Sequence, residues 1–198
     1  SLVNKGRVLF AGANQYGRPP MEVAHQGGAY ISHSVAHVSD DERKLLNLNR
    51  KLVKALGLEK GAAHAEFIRS IADGEFYFLE IAARVGGAYI ADVLEAASGL
   101  NLWREWAKIE LSDKHSSNKI PPLRKEYAGI VLSLAKQEYP DTSAYSDPEV
   151  VYRVKKRHHA GLIVRSPKLE RVTELLNQYA TRFAHDFVAV VPPLERAE

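Results

Sequence analysis

Leu45, Leu48, Leu52 and Leu56 recur at helical spacing behind Ser39-Asp-Asp-Glu42. A Ser followed three positions later by Glu is a capping box, so the pattern predicts a helix that opens at Ser39 and stops at Gly57. Ile90, Val93, Leu94 and Ala97 predict a shorter helix closed by Gly99. Asn101 is a fitting cap for the next helix, whose Leu102, Trp103, Trp106 and Ile109 share helical spacing; the two tryptophans are expected in the core. Leu169, Val172, Leu176, Tyr179 and Phe183 form the apolar face of a last helix, entered at Ser166-Pro167. Between the helices, Arg7–Ala11, Tyr127–Leu134, Val150–Val154, Leu162–Val164 and Phe187–Val191 are strand-like. Gly12 to Ala36 reads as irregular, broken by Pro19-Pro20 and Gly27-Gly28, and His115 to Pro122 as a polar connection. Strands and helices mix without a strict βαβ alternation. The expected class is therefore α+β, a mainly antiparallel sheet flanked by helices.

The most informative stretch runs from Ala62 to Ala82. Asp73-Gly74 is a strong hairpin turn signal. A turn centred on Asp73 pairs Glu66 directly with Glu80, Ile68 with Phe78 and His64 with Ala82. One face then carries His64, Glu66, Ile68, Phe78 and Glu80; the other carries Phe67, Arg69, Tyr77 and Leu79. Two carboxylates with Cβ atoms roughly 5 Å apart repel, and a cation held between them turns that repulsion into a binding site. Hard ions such as Mg²⁺ take carboxylate oxygens and usually arrive with phosphates. Arg84 follows, and a guanidinium can hold a phosphate through two hydrogen bonds. The competing reading is an exposed hairpin with two solvated acids, since a one-residue slip places the glutamates on opposite faces. Gly86-Gly87 either lets backbone approach a phosphate or permits a tight turn; the third glycine of a dinucleotide fingerprint is absent. His64 reads as structural. His33 and His37 lie in the irregular segment, within reach of a substrate or merely exposed.

Composition narrows the classes. The chain has 198 residues, enough for one domain or part of a larger one, and it contains no cysteine, which excludes disulfides and thiolate chemistry and fits a reducing cytoplasm. No apolar run approaches a membrane span. A net charge of +3 suits anionic small molecules as well as nucleic acid. The densest basic run, Lys155 to His159, lacks interleaved aromatics and reads as a solvated strand end rather than a nucleic-acid patch. No nucleophile elbow, phosphate-binding P-loop or His-Glu-x-x-His motif is present. The chain opens Ser1-Leu2 without an initiator Met, which reads as the start of an excised domain.

Gly61-Ala-Ala-His64-Ala-Glu66-Phe, followed by Asp73-Gly74-Glu-Phe-Tyr-Phe-Leu-Glu80-Ile-Ala-Ala-Arg84, resembles the metal-binding hairpin of the ATP-grasp superfamily. It is similar to the hairpins of biotin carboxylases and carboxylate–amine ligases. The preceding Leu-rich helix, the Gly-Gly turn and the Ser98-Gly99-Leu-Asn-Leu helix end are similar too, so that the likeness covers about Val3 to Leu111. The resemblance implies that Glu66 and Glu80 hold Mg²⁺ (or Mn²⁺) between ATP phosphates. It implies that Ile68 packs on adenine and that Arg84 steadies a phosphorylated or carboxylated intermediate. Gly86 and Gly87, with His33, fall on the substrate side. Ala82 departs from the Asn many members carry there, and nothing before Arg7 can supply the N-terminal domain, glycine-rich lid and hinge. The resemblance therefore implies the C-terminal subdomain of the ATP-grasp fold over residues 1–124, with hairpin 62–84, and a family-specific extension over 125–198. The expected partners are ATP, a small carboxylate and the parent protein's missing domains, in the cytoplasm. A bicarbonate-using step, a homodimer, a degenerate remnant kept for dimerisation and a basic binding module for nucleic acid or a protein remain as alternatives.

Overall fold

The computed structural model describes residues 1–112 and 119–188. In chain order the elements are β1 (Leu2–Asn4), β2 (Arg7–Phe10), β3 (Asn14–Tyr16), α1 (Pro20–Gln26), β4 (Tyr30–Ser34), α2 (Asp40–Ala55), β5 (Lys60–Ala62), β6 (His64–Arg69) and β7 (Phe76–Ala82). They continue with α3 (Ile90–Ser98), α4 (Leu102–Leu111), β8 (Tyr127–Leu134), β9 (Val150–Arg153), β10 (His159–Ser166) and α5 (Leu169–Asp186). The class is α+β, and every strand pair whose register is described is antiparallel. The chain divides into two compact units, residues 1–14 with 34–125, and residues 15–33 with 126–198.

The first unit holds a three-stranded sheet in the order β2-β1-β5, the β6–β7 hairpin and helices α2, α3 and α4. Lys5 and Gly6 both have positive φ, 52° and 67°, the geometry of a two-residue turn whose twist matches the strands it joins. Ser39 caps α2 by accepting a hydrogen bond from Glu42 N at 3.1 Å. The return half of the box is displaced, because the Glu42 carboxylate accepts from Val38 N. The buried face of α2 is also rotated from the leucine stripe. Asn49 and Val53 are buried, whereas Leu56 is exposed. Gly99 ends α3 in the left-handed region at φ 79°, and Asn101 accepts from Arg104 N at 2.8 Å to start α4.

On α4 the tryptophans turn out not to be core. Leu102, Glu105 and Ile109 are buried, while Trp103 is 55% exposed with its ring 5.9 Å from that of Trp106. Glu105 occupies the inward stripe because Lys108 and Arg104 accompany it, at 2.9 and 3.2 Å. Burial pushes its carboxyl up, and those two hydrogen bonds more than offset this, leaving it below the usual range.

The second unit is built on a five-stranded sheet ordered β3-β4-β8-β10-β9. β8 and β10 pair without interruption from Tyr127–Ser166 to Leu134–His159. Val131, Leu162 and Val164 pack against Val172, Leu175, Leu176, Tyr179 and Phe183 of α5. A Cβ at Gly129 would lie 2.5 Å from Leu176, so only glycine lets α5 approach β8 this closely. Ser166 ends β10 rather than capping α5; its hydroxyl accepts from Lys168 N and the helix begins at Leu169. The segment from Gly12 to Ala36, expected to be irregular, contains β3, α1 and β4. Of the expected strand 187–191, Phe187 caps α5 and Val188 bridges Ala135, and 189–191 lie outside the described residues.

Candidate functional site

The site is built on the β6–β7 hairpin. Its tip is closed locally: Ser70 N donates to Glu75 O, and Gly74 N to Ser70 O. Asp73 accepts from Glu75 N at 2.9 Å and from the Tyr77 hydroxyl at 2.8 Å. Those two bonds, in that order, hold its carboxyl below the usual range. Two exposed ion pairs, Arg69–Asp41 at 2.8 Å and Lys44–Glu75 at 2.9 Å, tie the hairpin to α2. Each contributes little by itself at such exposure.

Glu66 pairs with Glu80 directly, and directly opposed residues of an antiparallel pair project from the same face. His64 pairs with Ala82, again as the turn signal predicts. Beyond Glu66 the register shifts. Phe67 pairs with Phe78, Ile68 with Tyr77 and Arg69 with Phe76, leaving Leu79 as the extra residue of a β-bulge. Phe78 and Tyr77 therefore exchange the faces expected from regular alternation. Phe78 joins Phe67, ring edge to face at 6.2 Å, and Tyr77 joins Ile68 beyond the carboxylates. Ile68 remains on the face of Glu66 but is 55% exposed.

His64 lies beside the acids, with Nε2 at 3.8 Å from Glu66 Oε1. Its pKa is lowered chiefly by burial; Glu66 and Glu80 oppose that shift and Arg84 reinforces it. All three charges thus act on one imidazole. Arg84 leaves the end of β7 exposed, with Nη1 donating to Val85 O at 3.0 Å. Gly86 is buried, and a Cβ there would stand 3.0 Å from Ile90 and 3.2 Å from the His64 ring. The Gly86-Gly87 turn therefore brings the entry to α3 against the hairpin. Ala88 and Tyr89 follow with positive φ, 47° and 62°, a strained pair for residues with side chains.

His33 lies on β4 of the second unit, opposite Gly129, rather than in a loop. His37 is 3.2 Å from Glu42 at the start of α2. The basic run is the turn joining β9 to β10, where Lys156 bridges His159 and Arg157 pairs with Glu138 at 2.8 Å. Among the described residues, no group of three or more His, Cys, Asp or Glu side chains is arranged to hold a metal. Two opposed carboxylates nevertheless form the donor set that Mg²⁺ uses when its remaining ligands are phosphates and water. Among the described residues, no helix is long and apolar enough to cross a membrane.

No protein-family model matches the sequence, and no curated protein sequence does. Solved structures do match the fold. An L-amino acid ligase from Bacillus licheniformis aligns with a TM-score of 0.60 at 18% identity, over 83% of this chain and 44% of the ligase. A phosphoribosylglycinamide synthetase from Anaerococcus prevotii aligns at 0.61 and 16% identity, over 96% of this chain and 51% of its own. A carboxyaminoimidazole ribonucleotide synthase from Aspergillus clavatus, solved with ATP, aligns at 0.62 and 16% identity, over 91% and 49%. The chain spans about half the length of these enzymes. The fold it shares with them is the ATP-grasp fold that the hairpin sequence resembles, and the likeness reaches well beyond residues 3–111.

Proposed function

We propose that this chain is the C-terminal part of an ATP-grasp ligase that activates a small carboxylate as an acyl-phosphate and passes it to an amine or other nucleophile. The observation that supports this most is the direct pairing of Glu66 with Glu80, followed by Arg84, in a chain of this fold. In this reading Glu66 and Glu80 hold one Mg²⁺ or Mn²⁺ between them, and ATP is the phosphoryl donor. An ion held by Glu66 and Glu80 would supply charge neutralisation to the phosphoryl group. Arg84, exposed at the strand end, grips the acyl-phosphate through two parallel N–H donors. Ile68 offers its exposed side chain to the adenine, and Gly86 and Gly87 serve the acceptor side. No covalent enzyme nucleophile is needed. The chain alone, half the length of the aligned ligases, is expected to be incompetent because too few contacts oppose the entropy of fixing a nucleotide. The same reading places the protein in the cytoplasm.

Turnover of the full-length protein tests this reading, with candidate carboxylates and amines, by ADP release and product mass. Wild-type protein should form the acyl product with Mg²⁺, and Glu80→Gln should not. Full turnover by Glu80→Gln would overturn the metal assignment. Submicromolar Mg·ATP binding by this chain alone, measured by calorimetry, would overturn its assignment as one part of a larger cleft.

A further inference from the structure

We infer that the outer edge of β9 is a self-association surface, across which a second copy of this chain pairs antiparallel about a two-fold axis. β9 is the terminal strand of the five-stranded sheet, bonded to β10 on one side only among the described residues. A strand edge presents a row of backbone donors and acceptors, and another strand can extend the sheet there. The apolar content of this edge is considerable. Val151 and Tyr152 are 41% and 42% exposed, and a surface cleft of about 420 Å³ is lined by Val150, Val151, Tyr152, Arg153 and Lys155. Arg153 is anchored inward on the carbonyls of Thr142 and Tyr145, which fixes the strand's orientation.

Charge selects the occupant. Beside the start of β9, Asp147, Glu149 and Glu174 surround the single guanidinium of Arg171, leaving that end with two net negative charges. Beyond the end of β9 lie Lys155, Lys156 and Arg157, of which Arg157 pairs with Glu138, leaving two net positive charges. A strand that is acidic at one end and basic at the other repels a parallel copy and attracts an antiparallel one. Two-fold pairing centred near Val151 sets Lys155 of each copy across from Asp147 of the other. The same lysines that guard the edge against indiscriminate pairing then specify one partner and one direction.

The full chain has no cysteine, so Val151→Cys introduces a unique thiol. Sedimentation velocity of the wild-type chain should show a dimer at high micromolar concentration in low salt, dissociating as salt is raised. Lys155→Glu with Lys156→Glu should weaken that dimer about tenfold or more while leaving the melting temperature unchanged. Val151→Cys should form an intermolecular disulfide on mild oxidation far faster than Ile71→Cys, at the exposed hairpin tip. A chain that stays monomeric in low salt at a few hundred micromolar overturns the inference. So does a dimer indifferent to the lysine reversals, or one in which both cysteine variants cross-link equally.

Discussion

The β6–β7 hairpin and the β8–β10 pair are both antiparallel ribbons, yet they are held by opposite means. β8 and β10 lie in mid-sheet under α5, with Val131, Leu162 and Val164 fully buried. The hairpin exposes Ile68, Tyr77, Phe78 and Leu79 to about half their area and closes mainly through its tip and two surface ion pairs. Burial of apolar area stabilises the first ribbon; register and local hydrogen bonds define the second. A ribbon that contributes little to the core can carry two opposed carboxylates, because their repulsion is small beside the stability of the sheets elsewhere.

The sharpest way to break this comparison is to truncate one aromatic in each region. Phe183→Ala, at a side chain with no exposure packed between Tyr145 and Phe187, should cost ~3–5 kcal/mol. Phe78→Ala in the hairpin should cost less than about 1 kcal/mol. Urea denaturation of the two variants measures both, and equal costs would show the hairpin to be part of the core. Next, Glu80→Gln should reduce turnover of the full-length protein by roughly a hundredfold or more and remove the Mg·ATP-induced rise in melting temperature. Gly86→Ala should then cost about 1–3 kcal/mol, because its methyl meets Ile90 and the His64 ring; a variant as stable as wild type would show that the turn yields.

Acid should separate the regions further. The Asp186 carboxyl is held low first by its hydrogen bond from His185 and then by the Tyr145 hydroxyl. The folded state thus binds fewer protons than the unfolded one as pH drops below about 4. That stability is present above the ordinary carboxylate range and lost as pH falls through the folded value. Asp186→Asn should flatten the acid limb of the stability curve. Asp73→Asn, whose carboxyl is also held low, should remove a like contribution and in addition loosen amide protection at the hairpin tip, which Asp186→Asn leaves intact. The smallest effect is the stability of Glu80→Gln without metal, expected to rise by a few tenths of a kcal/mol as a like-charge pair is relieved. A clear loss in thermal melts would make Glu80 a structural residue.

The pairing of Glu66 with Glu80 was legible from Asp73-Gly74, although the geometry reaches it by a different route. Arg69 pairs with Phe76, so the turn centres between Ala72 and Asp73, half a residue early, and the bulge at Leu79 restores the expected partner. No pattern in the sequence marks that bulge. β4 was hidden because Ser32 and Ser34, though buried, look like loop residues. α1 was hidden because Pro20 stands at the first helical position, where proline begins a helix rather than breaking one. On α4, buried Glu105 occupies the stripe that the tryptophans suggested. Charged neighbours supply what periodicity cannot reveal. The α2 and α3 caps and the β8 strand were legible because each rests on local backbone chemistry or a nearly continuous apolar run.

The extra residue at Leu79 also divides the hairpin into two ribbons out of phase with each other. The half nearest Arg84 keeps the alternation that sets Glu66 and Glu80 side by side; the half nearest the turn runs one position behind. Side chains at the tip can therefore be exchanged as a set without asking anything of the carboxylate end. Deleting Leu79 would bring the halves into step, with Phe78 still opposite Phe67 on the face away from the carboxylates. The hairpin is in this sense a hinge in sequence space: one inserted residue separates what must stay constant from what is at liberty to vary.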